Sequence, residues 1–441
     1  MARARTAVVA TTLIAALASA TLGGTAAFAA PAVPAALTAA GAGTVVQNGG
    51  PVTVAAGEEG AVTLRFTASL PAGVRGPVTG AVHLPTTLHA VAGNSPVSEN
   101  VVRSTCSVNG VAYGACRWNM PFLHDFDEAD PPSLDLPAVP AARTLAYSVT
   151  VDADRSAVAL VGTEALVALK DTTGAVVARG TVGLRFVPGT PPPHERGAVH
   201  ARDAAGVLWR YEGTGDVTRP FAVRKRVGGG WNAYTVVTPV VPATADGRGG
   251  LVARDRAGVL WYYEGTGDPS APFAPRQRVG GGWSVYTALV GTGDGGLVAR
   301  DRDGALWRYQ AGLRAPFGPR ERVGGGWNTY TALTMAGTYD GVLGRDKDGV
   351  LWKYDYFGSV PGEPFRPRLR VGGGWNVYSA VAGGTRLGRD EHPDVVARDR
   401  AGRLWLYPGV GRPVPSRGDV VVPGSTRTLV GGGWNTYDLI F

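Results

Sequence analysis

Arg254-Asp255-Arg256-Ala257-Gly258-Val259-Leu260-Trp261 and, further on, Gly280-Gly281-Gly282-Trp283-Ser284-Val285-Tyr286 decide how this chain folds, because both strings return at a regular period. The first, Arg-Asp-x-x-Gly-x-Leu-Trp, ends at Trp209, Trp261, Trp307, Trp352 and Trp405. The second, Gly-Gly-Gly-Trp, ends at Trp231, Trp283, Trp327, Trp375 and Trp434. Successive copies of the first lie 52, 46, 45 and 53 residues apart. That is the length of a four-stranded propeller blade.

Each unit divides into strands. In the second copy, residues 251–254 form a short strand and residues 255–258 a turn, with Asp and Gly at the two ends where a four-residue turn favours them. Residues 259–263 form the next strand. A Gly- and Pro-rich loop leads to an outer strand over residues 273–279, and residues 286–290 return as an inner strand. Pro275, Pro319 and Pro367, each beside Arg, suit the outermost position, since proline and charge are tolerated on a sheet edge. The first repeat starts at Gly197 without an inner strand of its own, and the chain ends at residues 437–441 on a spare one. Placing the last strand beside residues 197–202 completes a fifth blade and closes a ring, whereas an open solenoid needs capping repeats.

The unit resembles the tachylectin family of five-bladed propeller lectins in the Gly-Gly-Trp before the inner strand, the short strand pair that follows, and five units of similar length. The resemblance covers residues 197–441 and implies binding of N-acetylated amino sugars at sites repeated around the ring. The unit also resembles degenerate FG-GAP repeats, whose calcium loop has the form Asp-x-Asp-x-Asp-Gly-x-x-Asp. Equivalent stretches here contain Asp246 and Asp294, and only the last keeps three acids, Asp390, Glu391 and Asp394. A calcium ion takes six to eight oxygens, so the expectation is no metal and no cofactor, with residual calcium binding left open only at Asp390, Glu391 and Asp394.

Trp231-Asn232, Trp283-Ser284, Trp327-Asn328, Trp375-Asn376 and Trp434-Asn435 are the candidate ligand-binding pairs. An indole can carry the apolar face of a sugar while an amide or hydroxyl bonds its polar groups. The competing reading makes these tryptophans wedges between blades, with glycine at positive φ and Asn capping the turn. The second tryptophan set reads as core, and the aspartates before it as turn formers. Arg224/Arg226, Arg276/Arg278, Arg320/Arg322 and Arg368/Arg370 lie two apart and share a strand face. Such pairs read either as a solvated edge or as a ring for an anionic polymer. Repeat five breaks the pattern with Thr426-Arg427-Thr428.

The remaining chain reads as export signal, sandwich and linker. Arg3 and Arg5 precede an apolar run over residues 7–20, and Ala27-Phe28-Ala29 has the small-x-small form of a cleavage site. Residues 1–30 are therefore expected to be a signal peptide, and the protein secreted or associated with the cell wall. No later stretch suggests a membrane span. Residues 31–188 carry alternating segments at 61–66, 146–151, 165–169 and 181–186. This predicts an antiparallel β-sandwich, immunoglobulin-like, with Asn109-Gly110 as a hairpin turn. Residues 189–196, with three prolines, read as a stiff linker, so the fold class is all-β, sandwich followed by propeller.

Cys106 and Cys116, the only cysteines, fit a disulfide in an exported protein. The acidic cluster from His124 to Asp130 reads as a solvated loop. Residues 191–441 hold 32 Lys/Arg against 23 Asp/Glu, a net +9, with both signs interleaved. No nucleophile motif, metal-ligand spacing or phosphate loop is present. The sequence therefore implies a monomeric, non-enzymatic module whose partner is a glycan or cell-wall polysaccharide rather than nucleic acid. The alternative is a propeller serving protein interaction or envelope structure.

Overall fold

A computed structural model describes residues 42–58, 60–84, 102–119, 133–155, 164–312, 316–337, 341–355, 365–390, 392–415 and 417–441. The expected signal peptide, Glu391 and the cluster from His124 to Asp130 lie outside them. Gly43–Phe441 forms one compact unit, and its described elements are strands joined by turns and single 3-10 turns.

Five four-stranded antiparallel sheets make a propeller. Blade 2 shows the pattern. Its inner strand Tyr234–Val241 is followed by Gly250–Asp255, Leu260–Glu264 and the outer strand Gln277–Gly280. Chain order and spatial order agree, so each hairpin is local. The Gly-Gly-Gly-Trp string then carries the chain from the outer strand of one blade to the inner strand of the next. Pro319 sits within the outer strand Phe317–Gly324, whereas Pro275 and Pro367 fall just before theirs.

Blade 1 is completed by the end of the chain. Tyr437–Ile440 pairs antiparallel with Ala198–Asp203, Ala201 facing Ile440 and Arg202 facing Leu439. The N–H of His200 donates to the Phe441 carbonyl at 2.8 Å, and that of Phe441 to the His200 carbonyl at 3.0 Å. Buried cores lie between neighbouring blades. Leu208 of blade 1, for example, packs with Val237, Leu251 and Ala253 of blade 2.

Blade 5 departs from the others. Between its third strand Leu404–Tyr407 and outer strand Thr428–Gly431 the chain inserts a hairpin, Gly409–Val414 with Gly418–Pro423. This arm reaches over blade 4. Arg412 donates to the Arg370 carbonyl and Arg417 to the Pro367 carbonyl, each at 2.9 Å. Lys353, almost fully buried, donates to the Val421 carbonyl at 2.7 Å and pairs with Asp355 at 3.0 Å.

The N-terminal part is a ten-stranded sheet with a two-stranded companion, sharing one apolar core. Alternation decides which side chains enter it: Thr144–Ala153 buries Leu145, Tyr147, Val149, Val151 and Ala153. The sheet folds over, because Trp118, near one end of the strand order, donates from its indole to Ser104 near the other at 3.0 Å. Asn109-Gly110 is a hairpin turn with φ of 50° and 80°, joining Val102–Val108 to Val111–Ala115. The strand expected over 181–186 is divided at Gly183. Val176–Val182 belongs to the large sheet, and Leu184–Pro188 pairs parallel with Val52–Ala56 in the small one. Gly183 packs so closely on Pro51 that a Cβ would lie 2.8 Å from the ring.

Residues 189–196 are not a free spacer. Pro191 is buried, Thr190 donates to Glu58, and Glu195 pairs with Arg155 at 2.6 Å. Arg155 also donates to the Arg389 carbonyl in blade 5 at 3.0 Å. Polar side chains thus fasten a stretch whose prolines alone suggested a rod.

Candidate functional site

The triple glycine makes a tight corner. Gly230, Gly282, Gly326, Gly374 and Gly433 hold φ of 80–85°, and each is followed by a three-residue 3-10 turn starting at the tryptophan. Left-handed backbone is cheap only for a residue without Cβ. The tryptophan N–H donates to the glycine carbonyl of the Asp-x-x-Gly turn at 2.9–3.0 Å in all five repeats.

The corner drives the indoles inward. Trp231, Trp283, Trp327, Trp375 and Trp434 are 5–7% exposed. Each packs on a tyrosine of the following blade's third strand: Trp231 on Tyr263, Trp283 on Tyr309, Trp327 on Tyr354, Trp375 on Tyr407 and Trp434 on Tyr211, with ring centroids 4.5–4.9 Å apart. They are wedges between blades. Packed in this way, each indole leaves little of its surface for the sugar ring expected there.

Their neighbours stay at the surface. Asn232, Ser284, Asn328, Asn376 and Asn435 are exposed, each lying against the glycine of the preceding turn. Asn328 and Asn376 donate to the carbonyls of Arg302 and Lys347, both at 3.1 Å. These two amides cap turns, and all five side chains face solvent.

The arginine of Arg-Asp-x-x-Gly clasps the blades together. Arg202, Arg254, Arg300, Arg345 and Arg398 each donate from Nη1 to two carbonyls of the next blade's entry, those of Trp231 and Tyr234, Trp283 and Tyr286, Trp327 and Tyr330, Trp375 and Tyr378, and Trp434 and Tyr437. The last of these joins blade 5 to blade 1.

The second tryptophan set, read from sequence as core, is only half-buried. Its indole N–H groups donate to Asp203, Asp255, Asp301, Asp346 and Asp399 at 2.8–3.1 Å. The indole bond holds the Asp203, Asp255 and Asp301 carboxyls below the usual range. One face of each indole is covered by a guanidinium at 4.0–4.2 Å, from Arg224, Arg276, Arg320, Arg368 and Arg427. Cations over indole are stabilised by the ring quadrupole. The same arginines donate to the hydroxyls of Tyr437, Tyr234, Tyr286, Tyr330 and Tyr378. Each of those hydroxyls also meets that of the third-strand tyrosine at 2.5–2.7 Å. Burial, then the bond to Tyr407, pushes the Tyr378 hydroxyl up to about 12.

Repeat five therefore keeps the stacking arginine, as Arg427. What it loses is the second of the pair. Arg226, Arg278, Arg322 and Arg370 lie opposite Trp209, Trp261, Trp307 and Trp352 in the ladder, where blade 5 places Leu429 opposite Trp405. All four arginines are exposed, and among the described residues their side chains form no ion pair or hydrogen bond. A glycine turn lies beneath each: a Cβ on Gly229, Gly281, Gly325 or Gly373 would come within 3.5–3.8 Å of the guanidinium. The third-strand tyrosines were missed in the sequence, although Leu-Trp-x-Tyr recurs five times.

In the last acidic loop the Asp394 carboxylate already has backbone partners. Both Asp394 oxygens accept backbone N–H groups, from Leu387, Gly388 and Gly409, and Asp390 faces His392 at 3.8 Å. Among the described residues no cluster of three metal-ligating side chains occurs. Cys106 and Cys116 form a disulfide. No helix of the described residues is long and apolar enough to cross a membrane.

No protein-family model matches the chain, and no curated protein matches it. A solved structure described as "AvmM Catalyzes Macrocyclization in Alchivemycin A Biosynthesis" aligns at 9% identity and a TM-score of 0.23, covering 34% of this chain and 91% of that one. A likeness that low carries no argument about fold or activity.

Proposed function

We propose that this chain is an exported, lectin-like binding module that holds a repetitive glycan through sites repeated around the propeller. The observation that carries the reading is the recurrence, blade after blade, of an exposed glycine corner with an Asn or Ser beside it and, in the first four repeats, an arginine over it. The aromatic residues are consumed in building the ring, and the exposed polar groups are left facing solvent in the same pattern. Several weak sites on one rigid body gain affinity for a repeating ligand by effective concentration. The resemblance to tachylectin-like lectins supports the same reading, and the N-terminal sheet, taken as an immunoglobulin-like sandwich, is its spacer. The apolar leader supports secretion. We assign no catalytic role.

Burial of the five wedge indoles favours a second reading, a propeller that contacts proteins or serves envelope architecture. A glycan array carrying chitin and peptidoglycan fragments alongside acidic polysaccharides separates the two. Binding by the folded full chain supports the lectin-like reading, and silence on every glycan transfers the assignment to protein interaction.

A further inference from the structure

Resting on the glycan reading, we infer that the ligand is an acidic polysaccharide, and that Arg226, Arg278, Arg322 and Arg370 on blades 1 to 4 read its anionic groups. Charges are matched differently on the two faces of a blade. On one face of blades 1 and 4 cations meet acids directly: Arg210 pairs with Glu212 at 2.6 Å, Lys225 with the same carboxylate at 2.9 Å, and Lys353 with Asp355 at 3.0 Å. The tryptophan face is not matched. On blades 1 to 4 it carries two arginines and one turn aspartate, whose oxygens take the indole N–H and, as for Asp203 and Asp255, backbone N–H groups.

The two arginines divide the work. Arg224, Arg276, Arg320 and Arg368 are spent on indole and tyrosine. Their partners two residues on are exposed and, among the described residues, without a counter-ion. An unpaired guanidinium presents a planar fork that fits carboxylate, sulfate or phosphate oxygens two at a time. Because the fold repeats, the four forks stand at equivalent places on four successive blades. That arrangement suits a linear polymer with a charge in each repeat unit.

Blade 5 interrupts the series. Leu429, 50% exposed, stands where the fifth arginine would be. The other cation near Trp405, Arg403, is tied to Asp399 at 2.7 Å. The inserted hairpin also leans from blade 5 onto the Arg370 backbone. The basic track is thus an arc of four blades.

The test uses the full chain and matched probes: hyaluronan, its carboxyl-reduced neutral form, and a poly(glycerol phosphate). The inference expects binding to an acidic probe that weakens as salt rises, with at least a ten-fold preference over the neutral polymer. The combined R226Q, R278Q, R322Q and R370Q variant is expected to melt as the parent does, lose about ten-fold or more in affinity and show a flatter salt dependence. Leu429→Arg is expected to tighten binding. Equal binding of the neutral polymer, or an unaltered quadruple variant, overturns this inference while leaving the glycan reading in place. Binding to no glycan by folded protein overturns both, as does preference for duplex DNA over every polysaccharide.

Discussion

Arg398 in the second strand of blade 5 donates to the carbonyl oxygen of Tyr437, the first residue of the strand that completes blade 1. The same guanidinium reaches the Trp434 carbonyl at 3.2 Å. This is the fifth copy of a contact that fastens every blade to its successor, and here it joins the two ends of the repeat array. Arg398→Met leaves two carbonyls without their charged donor. Loss of such a bond costs about 1–3 kcal/mol, read as a lower urea midpoint with the slope retained. Arg398→Lys, lacking the fork, is expected to recover only part. An unchanged midpoint in Arg398→Met contradicts the clasp.

The two members of each Trp-Asn pair are expected to separate by mutation. Trp327 is 6% exposed and packs against Tyr354 and Phe365. Trp327→Ala is expected to cost about 3–5 kcal/mol as a cavity at a blade interface. Asn328→Ala removes one exposed bond and is expected to cost less than about 1 kcal/mol. Chemical denaturation of the two variants checks the ratio, and comparable losses would contradict the wedge.

His200 gives the propeller an acid-side weakness. Its ring is buried between Phe273 and Phe441. Burial first, then the Arg210 charge, holds its pKa down at about 3, against 6.5 in a free side chain. The unfolded chain therefore binds a proton between these values that the folded chain refuses. Stability present above about pH 6.5 is lost as pH falls toward 3, by at most about 5 kcal/mol. His200→Gln cannot titrate, so the difference between its stability and the parent's is expected to shift in its favour from pH 7 to pH 4. A pH-independent difference would assign no part of the acid sensitivity to His200.

Lys353 anchors the blade-5 hairpin. Removing the ammonium by Lys353→Met leaves Asp355 without this partner and frees the Val421 carbonyl. Breaking a buried pair from one side costs about 3–5 kcal/mol. Amide exchange is expected to rise first in Gly409–Val414 and Gly418–Pro423. Protection unchanged in both strands would detach Lys353 from the hairpin.

Much of the architecture was legible because the repeat is written in residues with single physical uses. Glycine at positive φ, Asp at a turn start and an unpaired strand at each end of the array all pointed to one closed ring. The site was less legible. Tryptophan serves equally well as wedge and as platform, and only the direction of the glycine corner decides which. The second tryptophans looked like core from their place beside Leu. Their exposed edge follows from Asp203 and Arg224 meeting one ring, contacts that depend on strand register. The N-terminal strand break at Gly183 depends on Pro51 passing close by, a contact between residues 132 apart. No local pattern announces it.

Ring closure by the C-terminal strand is tested most directly by deleting Tyr437–Phe441 and following amide exchange across the propeller. The deletion removes the partners of Ala201 and Arg202 in the ladder, the carboxylate that Arg202 grips at 2.7 and 2.9 Å, and one carbonyl from the Arg398 clasp. Protection is expected to collapse in Ala198–Asp203 and Asp394–Asp399 first, with a lower unfolding midpoint for the whole propeller. Full protection of both strands at an unchanged midpoint would contradict closure.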